Sequence, residues 1–360
     1  MKELDELLAA YNVARHAGEP CLIATLVKVE GSSYRRVGAR MLLTRSGGRI
    51  GSVSGGCLEA EIQKKAWWLT ERGPVIERYE TSSEEGTELP FGLGCRGTLY
   101  VMLKQVEEDD ASWLKQLQGL RDNRAHAALA TSLNGPNLGT QWLFPQSENR
   151  FEINDATPAA VQIELKKSAK DRTHRYLERD GVEFLLEPLP PRQRLIVFGA
   201  GDDVKPLVKF ARLLGWDVTV ADGRSHLATT ARFPEATTVI AAPIHDLPLK
   251  CEVRDDDAVV VMTHSFAQDE AILSGLLPRP LLYLGQLGPR DRTRQLLASI
   301  GNEPTSLASG NLHSPIGLDI GAHTAETIAL AIVAEIQATI SKLDVQATSG
   351  AVNSPLQFLA

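Results

Sequence analysis

The sequence predicts an α/β protein of two parts: an amino-terminal α+β domain with glycine-rich loops, then a carboxy-terminal Rossmann-like domain whose mostly parallel sheet is flanked by helices. Three observations predict it. The chain has 360 residues, more than one core is expected to organise when a domain takes roughly 150. After residue 193, buried strand-like runs (RLIVFGAG, WDVTVAD, TTVIAAP, DAVVVMTH, RPLLYLG) recur at spacings that leave room for helices. Before residue 190 the apolar runs are separated by glycine, serine and asparagine turns instead. EPLPPRQR, residues 187–194, has the proline and charge content of a domain entrance, so the expected division is 1–190, 191–343 and a tail over 344–360.

Element by element, Leu4, Leu7, Leu8 and Tyr11 share one side of a first helix, which GEP stops. CLIATLVKVE and ARMLLTRSG read as strands joined by GSSYRRVG, and IGSVSG as a short strand feeding a helix that opens at Cys57. That helix carries Leu58, Ile62, Ala66 and Leu69 on one face and ends at Gly73-Pro74. IERYET and GTLYVML are further strands; AHAALATSL, TQWLFPQ, VQIELKK and GVEFLLEPL read as short strands of a β-rich middle segment. In the second half, VKPLVKFARLLG is a helix broken at Gly215, and TAETIALAIVAEIQATISKL is a long helix whose threonine start and nearby glutamate suggest a capping box.

Composition narrows the function. An apolar fraction of 43% and a charged fraction of 23% are those of an ordinary globular protein. A net charge of -7 supplies no general attraction to nucleic acid or to an anionic membrane, so neither is expected as a partner. The start MKELDELLAAYN is acidic where a signal peptide would be basic, and no apolar run reaches the ~18–20 residues of a membrane span. A cytoplasmic location is therefore expected. Cys21, Cys57, Cys95 and Cys251 are widely spaced without a CxxC pair, which predicts neither disulfides nor a metal site.

Two of the cysteines stand in unusual company. Cys57 follows Gly55 and Gly56 in GSVSGGCLEAE, where a helix amino end would favour its thiolate, while Glu59 and Glu61 would oppose it if they faced the sulfur. Cys95, in GLGCRG, repeats the glycine setting; a soft-ligand or sulfur-handling site and a small residue packed under a turn both fit. Between the first two strands, Arg35, Arg36 and Arg40 could converge on an anion such as phosphate, or form a solvated hairpin loop.

FGAGDDV matches the first two glycines of the dinucleotide fingerprint, Gly199 and Gly201, and Asp222 stands about 20 residues on, where an acid would meet the ribose. Val204 replaces the third glycine, and Asp202 and Asp203 put negative charge where a pyrophosphate would lie. NAD(P) is thus a weak expectation. His264, Arg290, Asp319 and His323 follow predicted strands or precede the last helix, positions that open α/β sheets give to a ligand crevice and that caps and turns also use.

At these motifs the sequence resembles a known family. EGSSYRRVGARMLLTRSGGRIGSVSGGCLEAEI is similar to the amino-terminal signature of the XdhC/CoxI accessory proteins of xanthine dehydrogenase and related molybdenum hydroxylases. The likeness resumes in GLGCRG, LIVFGAGDDV, VVVMTHSFAQDEAIL, YLGQLGPRDRT and LHSPIGLDIGAHTAETIALAIVAEI. The resemblance implies a non-catalytic maturation factor that binds the molybdenum cofactor (a pterin dithiolene with a phosphate tail) transiently, assists its sulfuration with a cysteine desulfurase, and delivers it to the apo-hydroxylase. In that role Cys57, with Cys95, Gly55 and Gly56, is the expected sulfur-side contact, the arginine loop the expected phosphate holder, and a homodimer the expected shield for the cargo. Two rival classes are a nucleotide-dependent oxidoreductase working through the second domain and a structural scaffold that tolerates loss of Cys57.

Overall fold

The computed structural model describes residues 2–56, 58–80, 97–106, 108–147, 150–151, 159–171, 173–179, 181–301 and 312–348. The chain forms two compact units, Met1–Pro191 with the last residues from Ala347, and Arg192–Gln346.

The first unit contains two antiparallel sheets. In chain order it has α1 (Lys2–His16), β1 (Cys21–Gly31), β2 (Arg40–Thr44), β3 (Arg49–Gly51), α2 (Glu59–Leu69), β4 (Val75–Glu80), β5 (Gly97–Gln105), α3 (Glu108–Asp122), β6 (Ala127–Ser132), β7 (Gln141–Ser147), β8 (Arg150–Phe151), α4 (Ala159–Asp171), β9 (Arg175–Arg179) and β10 (Val182–Leu189). The sheet orders are β3-β2-β1-β5-β4 and β8-β7-β6-β10-β9. Strand β1 is central and buried on both faces, which is why CLIATLV is apolar without a break. Its period of two sends Leu22, Ala24 and Leu26 to one core with Leu58, Ile62 and Ala66, and Cys21 and Ile23 to another with Leu7, Leu8, Trp113 and Leu117. Each such leucine contributes about 1.5–3 kcal/mol by leaving water.

Several elements of this unit differ from the sequence expectation, among them β8 and β9, where no strand was expected. VQIELKK is not a strand but part of α4, which buries Val161 and Leu165 one turn apart and leaves Ile163 exposed. Helix α3, where the sequence predicted no element, covers the sheets with Trp113, Leu114 and Leu117. Helix α2 begins at Glu59 with Leu58 as its cap, two residues later than expected from a start at Cys57.

The second unit holds β11 (Arg194–Phe198), α5 (Val204–Leu213), β12 (Asp217–Asp222), β13 (Thr238–Ala241), α6 (Leu247–Lys250), β14 (Ala258–Val261), α7 (Phe266–Leu276), β15 (Tyr283–Gln286), α8 (Arg290–Ser299), β16 (Leu312–His313) and α9 (Ala325–Thr348). Its sheet order, β13-β12-β11-β14-β15-β16, is that of a Rossmann fold and every pair is parallel. Leu195 and Val197 of β11 face the core under α5 and α9, and Ile196 and Phe198 the core under α7 and α8. Strand order reverses between β11 and β14, so their carboxyl ends form the crevice where such folds take ligands. The start of α9 is closed by a reciprocal pair, Thr324 N–H to Thr327 Oγ1 at 2.9 Å and Thr327 N–H to Thr324 Oγ1 at 3.3 Å; threonine rather than glutamate completes the cap. Among the described residues, no helix is long and apolar enough to cross a membrane.

Candidate functional site

In the first unit the glycine loop after β3 is built around one buried carboxylate. Glu59, 1% exposed, accepts five hydrogen bonds: from Ser52 Oγ at 2.6 Å, Val53 N at 3.0 Å and Ser54 N at 2.9 Å on Oε1, and from Ser54 Oγ at 2.6 Å and Gly56 N at 2.9 Å on Oε2. The two serine hydroxyls in turn accept from Gly55 N at 2.8 Å and Leu58 N at 3.0 Å. Burial by itself would raise the Glu59 pKa, but the serine hydroxyls and backbone N–H groups outweigh it and hold the carboxyl at about 2 instead of 4.5. Glu59 therefore points away from the loop's outer face, and Glu61 pairs with Lys65 at 2.6 Å. Cys57 and Cys95 lie outside the described residues.

The arginine loop reaches this turn through Tyr34. A Cβ on Gly55 would come within 2.6 Å of the Tyr34 ring, so only glycine lets the ring approach, whereas among the described residues nothing lies within 4 Å of the same position on Gly56. The three arginines differ. Arg35 donates bidentately to Glu3 of α1, with Nη1–Oε1 at 2.8 Å. Arg40 donates to Glu187 Oε2 at 2.6 Å, a pair in which the carboxylate is 1% exposed, and to the Gly38 carbonyl at 2.9 Å. The Arg36 side chain is exposed and has no hydrogen bond or ion pair among the described residues, which leaves it available to an anion. The structure thus brings Tyr34, Arg36, Gly55 and Gly56 into adjacent loops, while Arg35 and Arg40 hold the unit together.

In the second unit the fingerprint residues have internal tasks. Gly199 adopts φ +129°, and a Cβ there would collide with the Met262 carbonyl of the chain leaving β14. A Cβ on Gly201 would collide with Asp203 Oδ1; that carboxylate lies over the glycine and is held by His264 Nε2 at 2.7 Å. Asp202 turns outward to Lys205 at 2.7 Å and Arg232 at 2.9 Å. Asp222 is wholly buried and accepts four hydrogen bonds, from Ala200 N (2.7 Å) and from Arg224 N (2.8 Å), Nε (2.9 Å) and Nη2 (2.7 Å). Burial opposes its ionisation, yet Arg224 and the two amides hold its pKa below the ordinary value. These bonds match the roughly four lone-pair sites of a carboxylate, so a ribose hydroxyl would have to displace one of them.

Beside this filled turn, a cleft of about 800 Å³ opens at the carboxyl ends of β14 and β15. Its wall includes three of the residues singled out from sequence, His264, Arg290 and Asp319; His323 is not part of it and instead donates its amide to Thr327 Oγ1 in the α9 cap. Below the rim, buried Asp269 accepts from Thr263 Oγ1 at 2.6 Å, Gln286 Nε2 at 3.1 Å and Arg292 Nη2 at 2.8 Å, which fixes the Arg292 side of the cleft. The segment 316–318 is held from behind by Glu335, which accepts from Gly317 N at 2.9 Å and Tyr283 Oη at 2.5 Å and pairs with His313 at 3.3 Å.

Several of these groups are not evident from sequence. Glu59 is visible there only as an acid near a cysteine; the signal that it turns inward is the pair of serines before it. The partnership of Tyr283, His313 and Glu335 spans separate elements and leaves no local pattern. Of the remaining cysteines, Cys251 is buried and its thiol is pushed up to about 12 by burial, and Cys21 is buried and raised for the same reason, so burial works against the thiolate of each. Among the described residues, no cluster of three or more histidine, cysteine, aspartate or glutamate side chains could hold a metal ion.

Comparison with known proteins follows the same division of the chain. The XdhC and CoxI family model matches residues 14–80, and the XdhC Rossmann domain model residues 195–336. A probable xanthine dehydrogenase subunit from Bacillus subtilis (strain 168) is 31% identical over 328 residues, 91% of this chain and 95% of that protein. The molybdenum cofactor insertion chaperone PaoD of Escherichia coli (strain K12) is 23% identical over 325 residues, 89% of this chain and 83% of its own. A crystal structure described as a xanthine dehydrogenase from Bacillus halodurans superposes with a TM-score of 0.77 at 31% identity, covering 98% of this chain and 99% of the other.

Proposed function

Because the chain belongs to the XdhC and CoxI family, we propose that it is a maturation factor for molybdenum hydroxylases, which binds the molybdenum cofactor as cargo and delivers it to a xanthine dehydrogenase-like apoenzyme. The likeness to an insertion chaperone over 89% of the chain supports this reading. The observation that carries it to particular residues is the turn at Gly55-Gly56: its shape is set by Glu59, no described residue fills the space beside Gly56, and the neighbouring loop has an Arg36 side chain unpaired among the described residues. Arg36 is the group for the cargo's phosphate, to which a guanidinium donates bidentately. Cys57, next in the chain after Gly56, is the sulfur-side contact, with Cys95 as a second candidate; a cysteine desulfurase supplies the terminal sulfur while the cofactor is held. Arg35 and Arg40 act structurally in this scheme.

The test is co-purification from a host competent in molybdenum-cofactor synthesis, with released pterin and molybdenum assayed in the parent, Cys57→Ala and Arg36→Ala. Near-stoichiometric pterin in the parent and a clear loss of retained pterin in either variant is the expected result, for Arg36→Ala because a charge-assisted contact is worth about tenfold in affinity. Parent protein free of pterin would overturn the cargo assignment; parent and Arg36→Ala proteins with equal pterin would overturn the role of Arg36.

A further inference from the structure

The Rossmann-like sheet offers ligands two halves, and this chain closes one while leaving the other open. In the first half, Asp203 lies over Gly201 and is fixed there by His264, whose own backbone sits at φ +62°, a left-handed conformation that is costly for a non-glycine residue and is kept only where the surroundings demand it. Asp222 has its oxygens filled by Ala200 and Arg224, and Asp202 is drawn outward by Lys205 and Arg232. All three acids of that half are thereby paired within the chain. A pyrophosphate on the Gly199–Gly201 turn would meet the Asp203 carboxylate and a ribose would find no free acceptor on Asp222.

The second half is the reverse. Its cleft, about 800 Å³, falls in the ~300–1,000 Å³ range of small-molecule sites. The walls contributed by Met262, Leu287, Ile316 and Ile328 are apolar and suit the faces of a ring. Of the charged residues lining it, His264 is engaged by Asp203 and Arg292 by Asp269, but the side chains of Arg290 and Asp319 are exposed and have no partner among the described residues, not even each other. An unpaired guanidinium calls for an anion that can accept two hydrogen bonds, and an unpaired carboxylate for the N–H edge of a polar ring. A dinucleotide would need a seat for a second phosphate, and the turn that would supply it is covered by the Asp203 carboxylate lying over Gly201.

We propose that this cleft is a binding site for a flat heterocycle carrying a single phosphate, held at the phosphate by Arg290 and at its ring N–H edge by Asp319, and that the site rejects dinucleotides. The inference concerns the second unit alone; its pterin arm rests on the cofactor-cargo reading above, and its purine arm does not. Two kinds of compound share the chemistry, a purine mononucleotide and a phosphorylated pterin, and titration calorimetry of the full chain with GMP, neopterin monophosphate and NAD separates them. Saturable one-to-one binding of GMP or of neopterin monophosphate, with NAD inert, is expected, and the compound that binds names the source. Arg290→Ala weakens that binding at least tenfold while its melting curve stays that of the parent, because the side chain is exposed and unpaired; Asp319→Asn weakens it through the ring edge and leaves inorganic phosphate competition unchanged. Absence of binding by both monophosphates, binding of NAD as tight as theirs, or an Arg290→Ala protein that binds like the parent would each overturn the proposal.

Discussion

Glu59 and Asp222 are the same kind of group in two regions of the molecule: each is a buried carboxylate that gathers the backbone of a glycine turn. They are held differently. Glu59 rests on two hydroxyls and three amides, with no cation bonded to it among the described residues, whereas Asp222 has the Arg224 guanidinium on both oxygens and the Ala200 amide besides. A carboxylate satisfied by a loop's own neutral donors makes that loop depend on the charge, since removing it orphans five donors at once. A carboxylate backed by arginine leaves part of its surroundings intact when altered. The difference teaches that the turn before Cys57 is shaped by one side chain, while the turn at Gly199 is secured by several.

The sharpest way to break this comparison is Glu59→Ala, for which we expect a loss of about 4 kcal/mol in denaturant unfolding, from several donors left without acceptors. Equal stability of variant and parent would remove Glu59 from its organising place. Acid gives the next effect. The Glu59 carboxyl titrates at about 2 in the folded chain and near 4.5 without its donors, so its contribution is complete above about pH 4.5 and is lost as pH falls from there towards 2. That window holds about 3 kcal/mol; a stability-versus-pH curve of Glu59→Gln should be flatter by that amount than the parent's, and parallel curves would contradict it. Asp222→Asn comes third, at about 2 kcal/mol, because the amide oxygen still accepts from Ala200 while the ion pair is gone. A cost matching that of Glu59→Ala would erase the distinction between the two turns. Smallest is Arg36→Ala, expected to leave the thermal midpoint unchanged, since its side chain has no partner among the described residues; a clear drop would reveal a structural contact.

How much of this was legible in the sequence depends on how local the cause is. The strands β11, β12, β14 and β15 are largely continuous apolar runs because both faces are covered, while β13 at the sheet edge is only partly buried, and all of β11 to β15 stand where those runs predict. VQIEL alternates apolar and polar residues as a strand does, but a strand would have buried Val161, Ile163 and Leu165 together; the helix buries the first and last and leaves Ile163 56% exposed. The site was legible as a set of loops and not as a set of bonds. Arg35 and Arg40 look alike beside Arg36, and what sets them apart is Glu3, 32 residues away, and Glu187, 147 residues away. The closure of Gly201 by Asp203 is likewise decided by which side chain reaches first, which composition and spacing do not encode.

Gly199 carries a wider consequence. Its missing side chain makes room for the Met262 carbonyl, so that β11 and the chain leaving β14 can lie against each other at the turn. A pattern search that meets GAG after a hydrophobic strand would count this chain among coenzyme users. Here the first of those glycines answers to the neighbouring strand, and a lineage could lose every trace of nucleotide chemistry and still be unable to replace it.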